Sequence, residues 1–332
     1  MEGPTTSPSW WVERSRDAEP ATLLELPAAE GARRLALTHL ETARASRGAV
    51  ASAADPEALH DYRVALRRLR SCLRSYLPEV RSTVSRKSRR RLDRLARSTN
   101  RSRDLEVHLA WLGERAATAA VTERPGIAWL TVRLQEAQRR AREEMLTLDQ
   151  RLFPSVHDRL RRQLLRYPAM VHLDRQPEPS TTADVTALHI ERAARRLERR
   201  LRRIGGEADE PGIHRARIAA KHLRYLLEPF AAMLPGGGAV IARLKSLQDA
   251  YGDVHDAHVF LPQLHAMRRK AEHIRRGELV GGLRSLAESL QIRASAAFGS
   301  AAQEWLEAGP REPFFQEVSA ARLELERAPI PV

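Results

Sequence analysis

The sequence of 332 residues is short of two residue types that often indicate compartment and chemistry. It contains one cysteine, Cys72, and only four lysines among its 56 basic residues. A single cysteine cannot form a disulfide within the chain, so nothing indicates an oxidising compartment, and we expect a cytoplasmic location. Cys72 lies beside the apolar face of a predicted helix, which favours a buried packing role over a nucleophilic one.

Long apolar runs and aromatic residues are also scarce. No segment approaches the roughly 18 apolar residues of a membrane-spanning helix, and residues 1–17 lack the pattern of a signal peptide. We therefore expect no membrane span. Aromatic residues make up 5% of the chain, and they do not alternate with basic residues as a stacking platform for nucleic-acid bases would require.

The motifs of several enzyme classes are missing. The chain has no glycine-rich phosphate loop, no Ser-His-Asp arrangement and no His-Glu-x-x-His motif. A metal cluster of Asp253, His255, Asp256 and His258 is conceivable, but at the matching positions of an internal repeat described below only Asp256 keeps its residue type, as Asp104. We therefore expect no catalytic residue, no metal site and no cofactor.

Positive charge is what the chain has in excess. The 56 lysines and arginines outnumber 42 acidic residues, which gives a formal net charge of +14. Hydrophobic residues make up 42% of the sequence, enough for a globular protein with a buried core. A globular protein with this charge is suited to a polyanionic partner, such as nucleic acid, an anionic membrane or an inorganic phosphate polymer.

The spacing of apolar residues predicts an all-α fold. Ala, Leu, Arg and Glu dominate, apolar residues recur three and four apart, and alternating β-branched runs are almost absent. Helix breaks are expected between residues 148 and 152 and between residues 251 and 254. The predicted organisation is a polar tail (1–27), a first helical repeat (28–166), a linker rich in Pro, Ser and Thr (167–184), a second repeat (185–308) and a C-terminal segment (309–332).

One helical motif occurs twice. Residues 60–70 read HDYRVALRRLR and residues 214–224 read HRARIAAKHLR, so both fit His-x-x-Arg-apolar-x-x-basic-x-Leu-Arg. At about 100° per residue, the histidine and the three cations of each copy share one arc, beside the apolar arc. We expect each basic stripe to line a groove between helices and to hold anions. The stripes comprise His60, Arg63, Arg67 and Arg70, extended by Arg74, and His214, Arg217, Lys221 and Arg224.

A second block also repeats, at an offset of 152 residues. Residues 91–107 read RLDRLARSTNRSRDLEV and residues 243–259 read RLKSLQDAYGDVHDAHV. Two matched blocks in the same order indicate a duplicated helical unit of four or five helices. Asp104 and Asp256 match within these blocks, and we expect them to accept hydrogen bonds from the motif arginines.

Together these motifs resemble the CHAD (conserved histidine α-helical domain) family, over about residues 30–305. The resemblance rests on the two His-x-x-Arg helices and on LKSLQDAYGDVHDAHVF at residues 244–260, close to the family's Leu-Gln-Asp-x-x-Gly-x-x-x-Asp pattern. The first repeat departs from the pattern, with Asn100 where Gly252 stands in the second. The resemblance implies two pseudo-symmetric antiparallel four-helix bundles around a central basic cavity that binds inorganic polyphosphate.

On this basis we predict a non-enzymatic polyphosphate-binding protein that is targeted to polyphosphate or to storage granules containing it. Two alternatives stay open: a basic helical protein that binds nucleic acid, and a metal-dependent phosphohydrolase that uses Asp253 and Asp256. The predicted polyphosphate ligands are His60, Arg63, Arg67, Arg70, Arg74, Arg101, Arg103, His214, Arg217, Lys221, Arg224 and Lys245, supported by Asp104 and Asp256.

Overall fold

A computed structural model describes residues 20–51, 56–166 and 180–327. Apart from one isolated bridge between Pro27 and Thr181, these residues form helices, turns and short connections, which confirms the all-α prediction. Parts of the predicted tail (1–19), of the linker (167–179) and of the C-terminal segment (328–332) lie outside the described residues. The two-bundle arrangement with pseudo-symmetry stays a prediction.

The first half of the fold begins with a short helix that the sequence had assigned to the polar tail. In this helix the Leu24 side chain is 2% exposed and belongs to the core. The helices up to the linker are α1 (Pro20–Glu25), α2 (Ala28–Ala51), α3 (Pro56–Ser75), α4 (Leu77–Val80), α5 (Arg86–Ser98), α6 (Asn100–Thr118) and α7 (Arg124–Leu165).

The second half begins with a capped helix. The Thr181 side chain accepts a hydrogen bond from the Asp184 backbone, and Asp184 accepts one from the Thr181 backbone, a reciprocal cap that fixes the start of the helix. The second half contains α8 (Thr182–Leu201), α9 (Glu210–Leu227), a 3₁₀ helix (Glu228–Met233), α10 (Gly237–His273), α11 (Gly277–Trp305) and α12 (Ala308–Arg327).

Both predicted helix breaks are wrong, because α7 and α10 run through them. In α7, Asp149 lies within the predicted break, and its buried carboxylate pairs with Arg47 and accepts a hydrogen bond from Tyr62. These partners neutralise the charge and allow an acidic residue on an apolar face. In α10, Gly252 lies inside the helix and under the Arg217 side chain.

The core is divided into two clusters of buried side chains. The larger cluster joins both motif helices, α3 and α9, to α2, α5, α8, α12 and the adjoining ends of α7, α10 and α11. The smaller cluster joins α6 and the beginning of α7 to the second part of α10 and the beginning of α11. Each cluster therefore contains helices from both halves. None of the described helices combines the length and the apolar character needed to cross a bilayer.

The smaller cluster depends on a backbone-to-backbone approach between α7 and α11. A Cβ atom added at Gly282 would lie 2.2 Å from the Glu123 carbonyl oxygen, and one added at Gly126 would lie 2.6 Å from the Leu279 carbonyl oxygen. Only glycine lets these two helices meet so closely, because any side chain would have to displace backbone atoms.

We therefore expect Gly282→Ala to lower the free energy of unfolding by about 1–3 kcal/mol through overpacking. Gly299→Ala in the same helix is the matched control, because its Cβ would meet nothing within 4 Å. That change should raise the free energy of unfolding by about 0.4–1 kcal/mol. Urea denaturation of both variants checks the prediction, and equal effects would contradict it.

Candidate anion-binding site

The two motif helices contact each other directly. Their apolar faces enter the larger core, where Leu69 and Leu223 are fully buried. Ser75 Oγ of α3 lies 2.9 Å from His222 Nε2 of α9. Glu228 bridges the helices, with its carboxylate 2.9 Å from Arg68 Nε and 3.3 Å from Arg224 Nε. The basic stripes are therefore held side by side by packing, a hydrogen bond and a shared carboxylate.

The first arginine of the motif, Arg63 or Arg217, makes an equivalent contact in each half. Arg63 Nη1 donates a hydrogen bond of 2.9 Å to the Thr99 carbonyl, and Arg217 Nε donates one of 3.2 Å to the Gln248 carbonyl. Burial, followed by repulsion from Arg67 and Arg103, lowers the pKa of Arg63 to about 10. Each arginine is thus anchored on a backbone carbonyl, which fixes its position without neutralising its charge.

The backbone that receives these arginines differs between the halves. In the first half Thr99 separates α5 from α6, and its carbonyl faces Arg63. In the second half α10 is continuous, and a Cβ at Gly252 would come within 3.3 Å of Arg217 Nη2. Asn100 therefore fits at the position that matches Gly252. The first half has the junction of α5 and α6 there, whereas the second half has the close contact between α10 and Arg217.

Lys221 is the centre of a group of cations from both halves. Burial, followed by repulsion from Arg217, Arg67, Arg224 and Arg63 in that order of strength, lowers its pKa to about 7. We call these five side chains the cation cluster. Like charges this close raise the free energy of the ligand-free protein, and an anion between them would relieve the repulsion.

Two acidic side chains accompany the cation cluster. Burial raises the pKa of Asp256 and of Asp104, and the positive charge of Arg217 opposes the shift at both. Asp104 also raises the pKa of Asp256, so the two carboxyls lie near each other although they come from different halves. The hydrogen bonds of Arg63 and Arg217 described above go to backbone carbonyls, and the contribution of the two acids is through charge.

The motif histidines lie at partly buried positions on α3 and α9. The His214 ring stacks at a tilt on His255, with 4.6 Å between ring centroids, and its buried Nδ1 has no hydrogen-bond partner among the described residues. Burial, then repulsion from Arg217, lowers the pKa of His214. His214 is therefore neutral near pH 7 in the ligand-free protein and can donate or accept one hydrogen bond.

The other predicted cations are paired with carboxylates or exposed. Arg70 Nε lies 3.3 Å from Asp93, and Arg103 pairs with Glu106 at 3.6 Å. Arg101 is exposed and pairs with Glu144 at 3.7 Å. Arg74 and Lys245 are exposed on α3 and α10. The structure thus brings five cations into close association and leaves these five around them.

Sequence reasoning missed the residues that hold the cluster together. Glu228 could have been found, because it lies four residues after Arg224, a spacing at which helical ion pairs form. The Thr99 and Gln248 carbonyls could not have been found, because backbone carbonyls are the same in every residue type. His255 was considered only as a metal ligand, whereas here its ring packs on His214.

The residues weighed for other chemistry have structural partners or are inert. Asp253 pairs with Arg293 at 3.3 Å, and within the described residues no group of three His, Cys, Asp or Glu side chains is placed to hold a metal ion. Cys72 is buried, and desolvation raises the pKa of its thiol to about 12, so it is not a thiolate nucleophile at neutral pH.

Two solved structures share this fold. One is the crystal structure of the CHAD domain from the plant Ricinus communis, with 20% sequence identity, a TM-score of 0.61 and coverage of 88% of this chain and 93% of that one. The other is PptA from Streptomyces chartreusis, with 17% identity, a TM-score of 0.61 and coverage of 83% and 99%. No curated protein matches the sequence significantly.

The CHAD domain family model matches residues 34–265, a range that includes both motif helices and most of α10. This match covers more than half of the chain and agrees with the duplicated motifs and with the two similar structures. The chain therefore belongs to the CHAD domain family, which is associated with polyphosphate in general.

Proposed function

We propose that this protein binds inorganic polyphosphate at the cation cluster without catalysing its turnover, and that this binding targets it to polyphosphate or to granules that contain it. The observation that carries the proposal is the environment of Lys221, where burial and four like charges from both halves lower the pKa to about 7. A protein gains nothing in stability from such a cluster, so its use is best explained by an anionic ligand.

Polyphosphate fits the chemistry of the cluster. It carries roughly one negative charge per phosphate and no bases, so recognition needs closely spaced cations and hydrogen-bond donors rather than base-reading groups. The anchored Arg63 and Arg217 would present forked donors, and His214 would add a hydrogen bond. The association of the family with polyphosphate supports the same ligand.

Nucleic acid is less well suited to the surroundings of the cluster. The aromatic ring beside Arg224 belongs to Tyr225, 5.2 Å from the guanidinium, and Tyr225 is only 9% exposed. A buried ring offers no face on which a base could stack. Binding of long-chain polyphosphate and of DNA with equal total charge, compared across a salt series, separates the two ligands; tighter binding of DNA would overturn the proposal.

The double substitution Arg67→Gln with Lys221→Gln should weaken polyphosphate binding at least about tenfold, because two charged hydrogen-bond donors are lost. The same change should keep or raise the melting temperature, because it removes repulsion at the cluster. It also removes the Arg67 Nε, which is buried without a hydrogen-bond partner among the described residues. Calorimetric titration and thermal unfolding measure both effects.

Arg139→Gln with Arg140→Gln is the control for that substitution, because both arginines are exposed and paired with Glu136 on α7. It removes the same formal charge and should leave the affinity within about twofold. Equal losses of affinity in the two double variants would show that binding depends on net charge and not on the cluster.

Polyphosphate affinity should fall as the pH rises from 6 to 8. Lys221 has a lowered pKa of about 7 in the free protein; bound anions stabilise its charged form and raise that pKa, so binding takes up a proton above pH 7. Titration calorimetry in buffers of different ionisation enthalpy measures this uptake. Lys221→Arg should abolish most of the pH dependence, because arginine stays charged; an unchanged profile would contradict the assignment.

A further inference from the structure

A second group of cations lies on α8, outside the cation cluster. Arg196, Arg199, Arg200 and Arg203 follow the spacing i, i+3, i+4 and i+7, which places them on one face of the helix and its C-terminal extension. They line a concavity of about 420 Å³. We call these four residues the arginine ridge.

The arginine ridge is unpaired, in contrast to its neighbours on the same helix. Arg195 pairs with Glu191 and Arg202 with Glu198, each at 2.5 Å. No ion pair joins a ridge arginine to any carboxylate in the described part of the chain, and three of the four ridge side chains are exposed. The helix thus carries one edge with neutralised arginines and another with four free positive charges.

The ridge is connected to the cation cluster through Arg74. Arg67, Arg70 and Arg74 follow the spacing i, i+3 and i+7 on one face of α3, and the Ser75 hydroxyl next to Arg74 lies 2.9 Å from His222 Nε2 on α9. Burial, followed by repulsion from Arg196 and Arg74, lowers the pKa of His222 to about 4, so both arginines lie near this ring. Cations therefore follow one another from the cluster along α3 to Arg74, and from Arg74 past His222 to Arg196.

The dimensions of this track suit a linear polyanion. Arg67 to Arg74 and Arg196 to Arg203 each span seven residues, or about 10 Å of helix at 1.5 Å per residue. A short anion would be held by the cation cluster alone. A longer chain that leaves the cluster past Arg74 would meet a further row of guanidinium groups.

Stabilisation of the helix explains only part of the ridge. Arg199 and Arg200 lie in the last turn of α8, where positive charge offsets the negative end of the helix dipole. Arg196 lies a full turn before that end and Arg203 follows the helix. These two arginines lie outside the last turn, yet both line the same concavity.

We propose that the arginine ridge is a second polyphosphate-binding surface, which engages the part of a long chain that extends from the cation cluster past Arg74. This inference rests on the proposed function. It assigns the selection of chain length to the ridge: short polyphosphates bind at the cluster only, and long ones bind at both surfaces.

The test is the double substitution Arg196→Gln with Arg203→Gln, which leaves the last-turn arginines in place. Arg195→Gln with Arg202→Gln is its matched control, because it removes two charges with the same spacing from the paired edge of the same helix. The probes are tripolyphosphate and a series of size-fractionated longer polyphosphates. Binding is measured by titration calorimetry with the full chain at several salt concentrations, with thermal unfolding as a check on folding.

For the wild type, affinity should rise with chain length and then level off. The ridge variant should level off at a shorter length, with affinity for the longest chains reduced about tenfold or more and a shallower salt dependence, because fewer counterions are released. The control variant should keep the wild-type profile. An unchanged length profile in the ridge variant, or the same loss in both variants, would overturn the ridge assignment.

Failure of the proposed function has a different signature. If the wild type binds no polyphosphate of any length, or if Arg67→Gln with Lys221→Gln leaves the affinity for every length unchanged, the cluster proposal fails and the ridge proposal fails with it. If the ridge binds DNA of equal charge more tightly than long polyphosphate, its ligand is nucleic acid and the inference is wrong.

Discussion

Two hydrogen bonds from arginine to backbone carbonyls determine how the rest of the site is arranged. Arg63 is anchored on Thr99 and Arg217 on Gln248, so α3 is tied to the junction of α5 and α6, and α9 is tied to α10. A carbonyl partner holds a guanidinium without cancelling its charge, unlike a carboxylate. The remaining cations are therefore gathered around two fixed positive charges, and the energetic cost falls on Lys221, which releases its proton most easily.

The fold tolerates this repulsion because packing of the core and one shared carboxylate offset it. The apolar faces of both motif helices enter one core that joins the two halves, and Glu228 pairs with Arg68 of one helix and Arg224 of the other. A cluster of like charges at the edge of an extensive core can persist because burial of apolar surface outweighs it. The same charges on a small or loosely packed protein would separate the helices.

The sequence predicts the helical class and a duplicated motif with a basic stripe in each copy, because these depend on periodicity and on residue types that repeat at a fixed offset. It does not predict where helices continue. The predicted breaks contain Asp149 and Gly252, yet both helices continue: Asp149 is paired with Arg47 and accepts a hydrogen bond from Tyr62, and Gly252 leaves room for Arg217. Nor does it reveal the anchoring carbonyls or the unpaired arginines of α8, because both depend on which neighbours the packing supplies.

The environment of Lys221 has a consequence for chemical reactivity. An amine is nucleophilic only when it has lost its proton, and an ordinary lysine with a pKa of about 10.4 is almost wholly protonated at neutral pH. Lys221, with its pKa near 7, is unprotonated in a large fraction of molecules there. The chain has only three other lysines, so Lys221 is the side chain that amine-selective reagents should modify first. A bound polyanion would restore its proton and so protect it from these reagents.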